Sequence, residues 1–339
     1  METQSIKPAI YFSFFMFTAD LKPADKSYTK ILISHLAALS EIGYDGFDMH
    51  IAPPDDTLDF KQDKKNYESL KSDFDNAGFA DKRFTTNVGT TQLLFDPTSP
   101  DAKERTQALA YLKSRVDITA ILGNRDSIMS GPFIYPYGAF PLDGSGQGIW
   151  SDALLAWMKQ RYIAARPVFA ELAEYAYKTG VKLAIEPVKS WETPPPNMVS
   201  EVLDFIESVK TDFPIGATVD TAQVVMESQG PSAFFNNVDR MTAKKNFYYV
   251  HVSAPDRGAV HDSWIPWKIM FDKFEPVFKG PYLIEIFNAI PPFESSMRMA
   301  RKRFWRPGED KKGPEDLNAY YIAEAALKEI KDHLSFFNH

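Results

Sequence analysis

The sequence contains no cysteine in its 339 residues, which excludes disulfide bonds, thiolate metal ligands and a cysteine nucleophile. It also has no long hydrophobic run, since no window approaches the roughly 18 apolar residues of a membrane-spanning helix. Neither a Walker-type glycine loop nor a GxGxxG motif is present, so a nucleotide cofactor has no support. The lack of cysteine fits a reducing compartment, and we therefore expect a cytoplasmic protein without a membrane partner.

Basic residues are outnumbered by acidic ones, with 38 Lys and Arg against 45 Asp and Glu and a net charge of -7. No basic run could follow a phosphate backbone, so nucleic acid is not an expected partner. The aromatic stretch AIYFSFFMF, residues 9–17, is short and lacks a clear small-residue cleavage site. We interpret it as a buried strand rather than a signal peptide.

Apolar runs of strand length alternate with amphipathic segments of helix length along the chain. The eight predicted strands cover residues 9–17, 44–51, 83–89, 117–123, 181–186, 215–220, 246–252 and 281–287. Nearly continuous apolar strands are typical of parallel strands buried on both faces. We therefore predict an α/β fold, a (β/α)8 TIM barrel in a single domain of residues 1–339, with a helical extension over about residues 298–339.

The predicted helices are marked by their caps. The first begins at Ser27 as N-cap and ends at Gly43. A second runs to Gly78, and a third opens with a cap and a first-position proline at residues 99–100. A long helix is predicted over residues 151–179 and a final one over residues 314–337.

Four polar residues lie at or near the C-terminal ends of consecutive predicted strands: Glu186, Asp220, His251 and Glu285. These ends meet at one mouth of a barrel, so the four side chains are predicted to converge. Buried carboxylates require a compensating cation, and we predict that it is a divalent metal ion. Three carboxylates and one imidazole form a mostly oxygen ligand set, which favours Mn²⁺, with Mg²⁺ or Co²⁺ as alternatives.

The motifs IEPVKSWE, VDT, HVSAPDRG, IPW and IEIF, on predicted strands five to eight, resemble those of the D-tagatose 3-epimerase family of ketose 3-epimerases, within the xylose isomerase-like barrels. In that family a second glutamate follows the strand-five glutamate, and an arginine follows the strand-seven histidine, each six positions later. Glu186 with Glu192 and His251 with Arg257 reproduce both spacings. The segment GPFIYPYG, residues 131–138, also resembles a loop that follows strand four in the family.

The resemblance implies a metal-dependent epimerase that inverts carbon 3 of a free ketose sugar through an enediolate intermediate. In the family, the glutamates of strands five and eight bind the metal and also act as base and acid. Glu186 and Glu285 are therefore the implied catalytic residues. Asp220 and His251 are implied to bind the metal only.

Four other residues are candidates for substrate binding. Glu192 and Arg257 match family positions that contact the hydroxyl and carbonyl end of the substrate. Three residues after the strand-six aspartate the family usually has a histidine, whereas this sequence has Gln223, which leaves substrate preference and reaction type open. His50 ends the second predicted strand and is expected at the barrel mouth. Family members are often dimers or tetramers, so we expect a homo-oligomer.

Three alternative functions fit the same features. An aldose–ketose isomerase would use the same metal but move the proton between adjacent carbons. A metal-dependent lyase or deglycosidase subunit would use the additional loops at residues 90–106 and 140–152 to bind a glycoside or a small partner chain. A non-catalytic sugar-binding barrel is the remaining alternative, although four intact ligands disfavour it.

Overall fold

The computed structural model describes residues 7–51, 59–89, 95–123, 127–135, 140–227, 230–290, 303–309, 312–313 and 316–335. Eight parallel strands form a closed barrel in chain order. They are β1 (Ile10–Ser13), β2 (Gly46–His50), β3 (Arg83–Asn87), β4 (Ile128–Gly131), β5 (Lys182–Ile185), β6 (Gly216–Asp220), β7 (Phe247–Ser253) and β8 (Tyr282–Glu285). The predicted (β/α)8 architecture is confirmed.

Helices connect the strands and follow the barrel. They are α1 (Lys26–Ile42), α2 (Phe60–Phe74), α3 (Ala102–Gly123), α4 (Ser151–Thr179), α5 (Val199–Ser208), α6 (Thr221–Met226), α7 (Gly230–Lys244), α8 (Trp267–Phe274) and α9 (Ala319–His333). Short 3₁₀ turns lie at Phe14–Met16 and Val260–Asp262, and a π turn at Asp75–Phe79. Before α9, β9 (Phe304–Trp305) and β10 (Leu317–Asn318) form a small parallel sheet. The described ranges contain no helix that is long and apolar enough to cross a membrane.

The barrel strands are buried on both faces, as their continuous apolar runs predict. In β5, for example, Leu183, Ala184 and Ile185 are all buried and only Lys182 is exposed. Side chains that point outward pack under the helices, and those that point inward fill the barrel. The strands end at the mouth of the barrel, where polar residues replace the apolar ones.

The fourth strand was predicted in the wrong place. Residues 117–123 complete helix α3, and the strand is formed by Ile128–Gly131. The Thr119 hydroxyl donates to the Arg115 carbonyl at 2.8 Å and lies 2.6 Å from Thr86 Oγ1, so this end of the helix packs on β3. The apolar and β-branched residues of the segment favour a strand locally, whereas packing of the continuous helix against the sheet decides the structure.

The N-terminal boundaries also differ from the prediction. The first strand stops at Ser13, and its predicted second half forms the 3₁₀ turn Phe14–Met16. Helix α1 is capped by Asp25, whose side chain accepts from the backbone N–H of Ser27, so Ser27 lies inside the helix. Gly43 ends the helix in a left-handed conformation, with φ of 110°, which confirms that part of the prediction.

Two later helices begin after their predicted start. Helix α3 begins at Ala102 rather than at residues 99–100, after Asp101, which accepts from the N–H of Lys103. The final helix spans only Ala319–His333, and Asn318 caps it. The segment predicted as a helical extension therefore also contains strands. Residues 136–138 of the GPFIYPYG segment and 90–94 of the first additional loop lie outside the described residues.

Candidate metal centre

The barrel register brings the four predicted ligands to one mouth. Asp220, the last residue of β6, pairs with His251 on β7, and Glu285, the last residue of β8, lies opposite Ser253. Glu186 directly follows β5. Each of the four offers one ligand atom, and these atoms all lie within 4.8 Å of one another. Because these four residues could hold a metal ion, we refer to them below as the metal centre.

Glu186 is held in place by the end of β4. Its backbone N–H donates to the carbonyl of Gly131 at 3.1 Å. Gly131 has a φ of 123°, and a Cβ atom there would lie 2.2 Å from the carbonyl oxygen of Val88. Only glycine allows this close approach, so a small residue at the end of one strand positions the carboxylate at the end of the next.

The four side chains are buried and close to one another. His251 Nδ1 lies 3.2 Å from Glu186 Oε1 and 3.7 Å from Glu285 Oε1. No member of the centre is more than 4% exposed. Burial by itself disfavours the charged imidazole, but the negative charges of Glu186 and Glu285 outweigh it and raise the pKa of His251 to about 10.

The second ring nitrogen of His251 has a polar neighbour in the barrel. His251 Nε2 lies 3.4 Å from Ser130 Oγ, which is 2.7 Å from Thr218 Oγ1. If Nδ1 binds a metal ion, the hydrogen of the neutral imidazole is on Nε2, which then points at Ser130 Oγ as a donor. A histidine that binds a metal through one nitrogen usually donates a hydrogen bond from the other.

Asp220 is fixed through one of its two oxygens. Its Oδ1 accepts from the backbone N–H groups of Ala222 and Gln223 and from Ser253 Oγ, at 2.7, 3.2 and 2.6 Å. Its Oδ2 lies 3.1 Å from Arg257 Nη1. Although burial opposes ionisation, the positive charge of Arg257 keeps the pKa of Asp220 below its usual value. The side chain is therefore an oriented, ionised carboxylate.

Glu285 lies in a buried cluster of three carboxylates, and this environment changes its pKa. Burial is the main cause that raises the pKa of Glu285, and the charges of Glu186 and Asp220 add to it. Arg257 Nη1 lies 2.9 Å from Glu285 Oε2 and compensates part of this charge. A further cation would relieve the repulsion.

The charge of the surroundings fits a divalent ion. The three carboxylates of the metal centre and Glu192 carry four negative charges, and Arg257 and Lys189 beside them carry two positive ones. In a metal-bound state, with His251 neutral and the carboxylates ionised, the protein groups of this set have an excess of two negative charges. One divalent cation would balance it, and the oxygen-rich donors suit Mn²⁺, Mg²⁺ or Co²⁺.

Arg257 connects the metal centre to Glu192. Its Nη2 lies 3.4 Å from Glu192 Oε2, while its Nη1 contacts Asp220 and Glu285. The guanidinium carbon lies 4.8 Å from the centre of the Phe287 ring. Glu192 and Arg257, the predicted substrate-binding pair, are therefore adjacent to the predicted ligands.

The other two predicted substrate-binding residues differ in their surroundings. Gln223 is 1% exposed, and neither atom of its side-chain amide has a hydrogen-bond partner among the described residues. His50 instead contacts the carbonyl of Ala19 through Nδ1, and its ring centre lies 5.3 Å from that of Phe15. The side-chain amide of Gln223 therefore lacks a hydrogen-bond partner among the described residues, whereas the His50 ring at the rim already contacts a backbone carbonyl.

Sequence reasoning missed two features beside the centre. Phe15 and Phe287 stack with ring centres 4.5 Å apart and form a small apolar cluster next to Arg257. Lys189 is fully buried and lies 3.1 Å from Glu192 Oε1. Its position within the motif IEPVKSWE was the available signal, but a lysine after a strand is normally read as a solvent-exposed residue.

Comparison with known proteins identifies relatives. The family model for the xylose isomerase-like TIM barrel matches residues 36–303. A crystal structure from Anabaena variabilis ATCC 29413, provisionally assigned as a sugar phosphate isomerase/epimerase, is 42% identical, with a TM-score of 0.93 over 98% of this chain and 100% of that chain. The D-allulose 3-epimerase of Methylomonas sp. shares the fold, with a TM-score of 0.72 at 19% identity over 97% of this chain and 99% of that chain.

A curated relative is provisionally named a ketose 3-epimerase, an isomerase, and comes from Synechocystis sp.. It is 25% identical over 202 residues, which are 59% of this chain and 62% of the relative. The matched region thus spans less than two thirds of that relative's length.

Proposed function

Because the chain belongs to the xylose isomerase-like TIM barrel family, we propose that it is a metal-dependent ketose 3-epimerase. One observation carries the proposal: two buried glutamates, Glu186 and Glu285, each place a carboxylate oxygen within 3.7 Å of His251 Nδ1. They follow β5 and end β8, which are separated in the barrel by β6 and β7. The two carboxylates therefore approach the centre from different directions.

Epimerisation next to a ketone requires two proton transfers, one on each face of the reacting carbon. When bound, a divalent ion would polarise the sugar carbonyl and stabilise the negative charge that develops on its oxygen. Glu186 and Glu285 would each hold the proton on one side of the sugar, one as base and the other as acid. Asp220 and His251 would serve as ligands only.

The residues around the centre would orient the sugar. Glu192 can accept from a hydroxyl group and Arg257 can donate to a carbonyl or hydroxyl oxygen. Gln223 can do both, and its amide has no competing partner among the described residues. Phe287 offers an apolar surface beside Arg257, and His50 at the rim is a further candidate contact.

Manganese is the ion that we propose first, with magnesium or cobalt as the alternatives. Three oxygen ligands and one nitrogen ligand favour these ions over zinc. The four buried ligand atoms within 4.8 Å of one another support the site but do not select among the three ions.

An aldose–ketose isomerase is the second candidate, because the same pair of glutamates could move a proton between adjacent carbons. Incubation of the Mn²⁺-loaded protein with D-fructose, D-tagatose or D-psicose in D2O separates the candidates. Epimerisation places deuterium at C3, whereas isomerisation places it at C1 or C2. A protein that incorporates no deuterium into any of the three sugars would contradict both, and would favour a sugar-binding barrel or a glycoside-specific lyase.

A further inference from the structure

Lys189 is a buried cation beside the metal centre to which the proposed reaction assigns no role. Its backbone carbonyl accepts from the N–H groups of Glu192 and Thr193, at 2.9 and 3.3 Å. This turn folds the chain back, so that Lys189 Nζ lies 3.1 Å from Glu192 Oε1. Trp191 covers the ammonium group, with Nζ 4.3 Å from the ring centre. The side chain of Lys189 is 0% exposed.

Glu192 is shared between two cations. Lys189 pairs with its Oε1, and Arg257 Nη2 lies 3.4 Å from its Oε2. Arg257 in turn contacts two further carboxylates. Its Nη1 lies 3.1 Å from Asp220 Oδ2 and 2.9 Å from Glu285 Oε2. The position of one guanidinium therefore depends on how strongly Glu192 attracts it.

We propose that Lys189 is a positioning residue: by occupying one oxygen of Glu192, it limits the attraction of Glu192 for Arg257 and so sets the balance between metal binding and sugar binding. A guanidinium fits both oxygens of a carboxylate when both are available. Without the Lys189 ammonium, Arg257 would turn towards Glu192 and away from Asp220 and Glu285. The role in sugar binding rests on the proposed function; the competition for Arg257 does not.

The burial of Lys189 supports a role for its charge. Burial, and secondly the charge of Arg257, lower the pKa of Lys189 to about 8, so the ammonium is held in an unfavourable environment. An apolar side chain of similar length could fill the same space without this cost. Packing by itself therefore does not account for a lysine at this position.

The test compares K189M and the conservative K189R with the wild-type protein. Turning Arg257 away from two ligands should strengthen binding of Mn²⁺ alone, measured by electron paramagnetic resonance, by about three- to tenfold, the effect of one partly screened charge. The KM for the ketose should rise by about tenfold, since Glu192 loses acceptor positions to Arg257, while kcat changes less. K189R should restore both values. K268M, which removes a surface lysine that pairs with Asp272, is the matched control and should change neither.

A double-mutant cycle with R257M isolates the role of Arg257. If Lys189 acts through Arg257, K189M should have no effect on Mn²⁺ affinity when Arg257 is absent. An unchanged effect in the R257M background would mean a direct charge effect and would overturn the proposal. Weaker Mn²⁺ binding by K189M, in parallel with a lower melting temperature, would also overturn it, because that is the result expected of a packing residue.

Should K189M fail to fold, E192Q gives a second test. The neutral amide at position 192 attracts Arg257 less than the carboxylate does, so Arg257 should move towards Asp220 and Glu285. Mn²⁺ should then bind more weakly. Unchanged Mn²⁺ affinity would overturn the proposal. The Mn²⁺ measurements also separate the role proposed for Lys189 from the proposed epimerase activity. A wild-type protein that epimerises no ketose contradicts the proposed function, whereas the cycle between Lys189 and Arg257 still decides the role of Lys189.

Discussion

Glu186 Oε1 lies 3.2 Å from His251 Nδ1, so a carboxylate that follows β5 meets an imidazole from β7 in the buried mouth of the barrel. Glu285 approaches the same nitrogen from β8, at 3.7 Å. These contacts concentrate negative charge where little water is available to solvate it. Burial of such a group is tolerated only with a compensating cation, and this requirement leads to the first prediction.

Removal of divalent ions with a chelator should abolish epimerisation, and added Mn²⁺ or Co²⁺ should restore it. A ligand that binds only the folded state also stabilises that state, by about 2.7 kcal/mol at a hundredfold excess over its Kd. The melting temperature should therefore rise when Mn²⁺ is added to the chelator-treated protein. A purified protein that holds no divalent ion and gains no stability from Mn²⁺ would refute the metal centre.

Replacement of Gln223 by alanine should raise the KM for the ketose by about tenfold, the scale of one lost hydrogen bond in a buried site. The amide is buried and has no other partner among the described residues, so a bound sugar is its expected partner. Mn²⁺ affinity should stay the same, because the side chain is not a ligand. Q62A, at an exposed glutamine that contacts Asn66, is the control. Unchanged sugar kinetics in Q223A would exclude Gln223 from the substrate site.

The sequence predicted the barrel and the grouping of the four ligands, because parallel strands that end on polar residues must meet at one mouth. It misplaced the fourth strand, since residues 117–123 are apolar and β-branched enough to resemble one, while the true strand Ile128–Gly131 is only four residues long. Lys189 was missed for a different reason. Its burial depends on the turn that brings Glu192 and Trp191 around it, and no local pattern reveals such a turn.

The stability of the protein should fall between neutral pH and about pH 5 because of His35. This histidine of α1 is buried, and its Nδ1 lies 2.7 Å from the hydroxyl of Tyr320 on α9. Burial, with the charge of Arg306, lowers the pKa of His35 to about 4 from 6.5. The unfolded chain therefore binds a proton that the folded protein does not, and the stability present above pH 6.5 is lost as the pH falls towards 4.

From these pKa values the loss attributable to His35 is about 2 kcal/mol at about pH 5. Urea unfolding at pH 7 and pH 5 measures the change in the wild-type protein, and H35Q should reduce it by that amount. H333Q, at a partly exposed histidine that pairs with Glu329, is the control for the replacement of a histidine as such. An H35Q variant that loses as much stability as the wild type would show that His35 is not the group responsible.

We predict that the chain forms a homo-oligomer through the segment 142–155, which leads into α4 and includes its first turns. Leu142, Trp150 and Leu155 are 60%, 68% and 58% exposed, and an apolar surface of this kind often marks an interface. Size exclusion with light scattering at micromolar concentration should detect a dimer or tetramer. L142D with W150D should shift it towards the monomer, whereas D143N with D152N, in the same segment, should not. A monomeric wild-type protein would contradict the prediction.

The sharpest prediction distinguishes the glutamates from the other ligands. Replacement of Asp220 by asparagine should weaken metal binding, so part of the lost turnover should return at high Mn²⁺ concentration. Asparagine keeps an oxygen that can accept the contacts that Ala222, Gln223 and Ser253 make with Oδ1 of Asp220. The fold of this region should therefore survive the change, which thermal unfolding in the absence of metal would check.

Replacement of Glu186 or Glu285 by glutamine retains an oxygen ligand and nearly the same shape but removes the proton acceptor. Turnover should fall by about 10²–10⁴-fold, the usual contribution of a general acid or base, and should stay low in excess Mn²⁺. Since the two carboxylates come from strands separated by β6 and β7, they should act on opposite faces of the sugar. Each variant should therefore retain exchange of the C3 proton with D2O for one epimer better than for the other. Full rescue of both variants by Mn²⁺ would mean that Glu186 and Glu285 are ligands only, because a restored metal cannot replace a missing base.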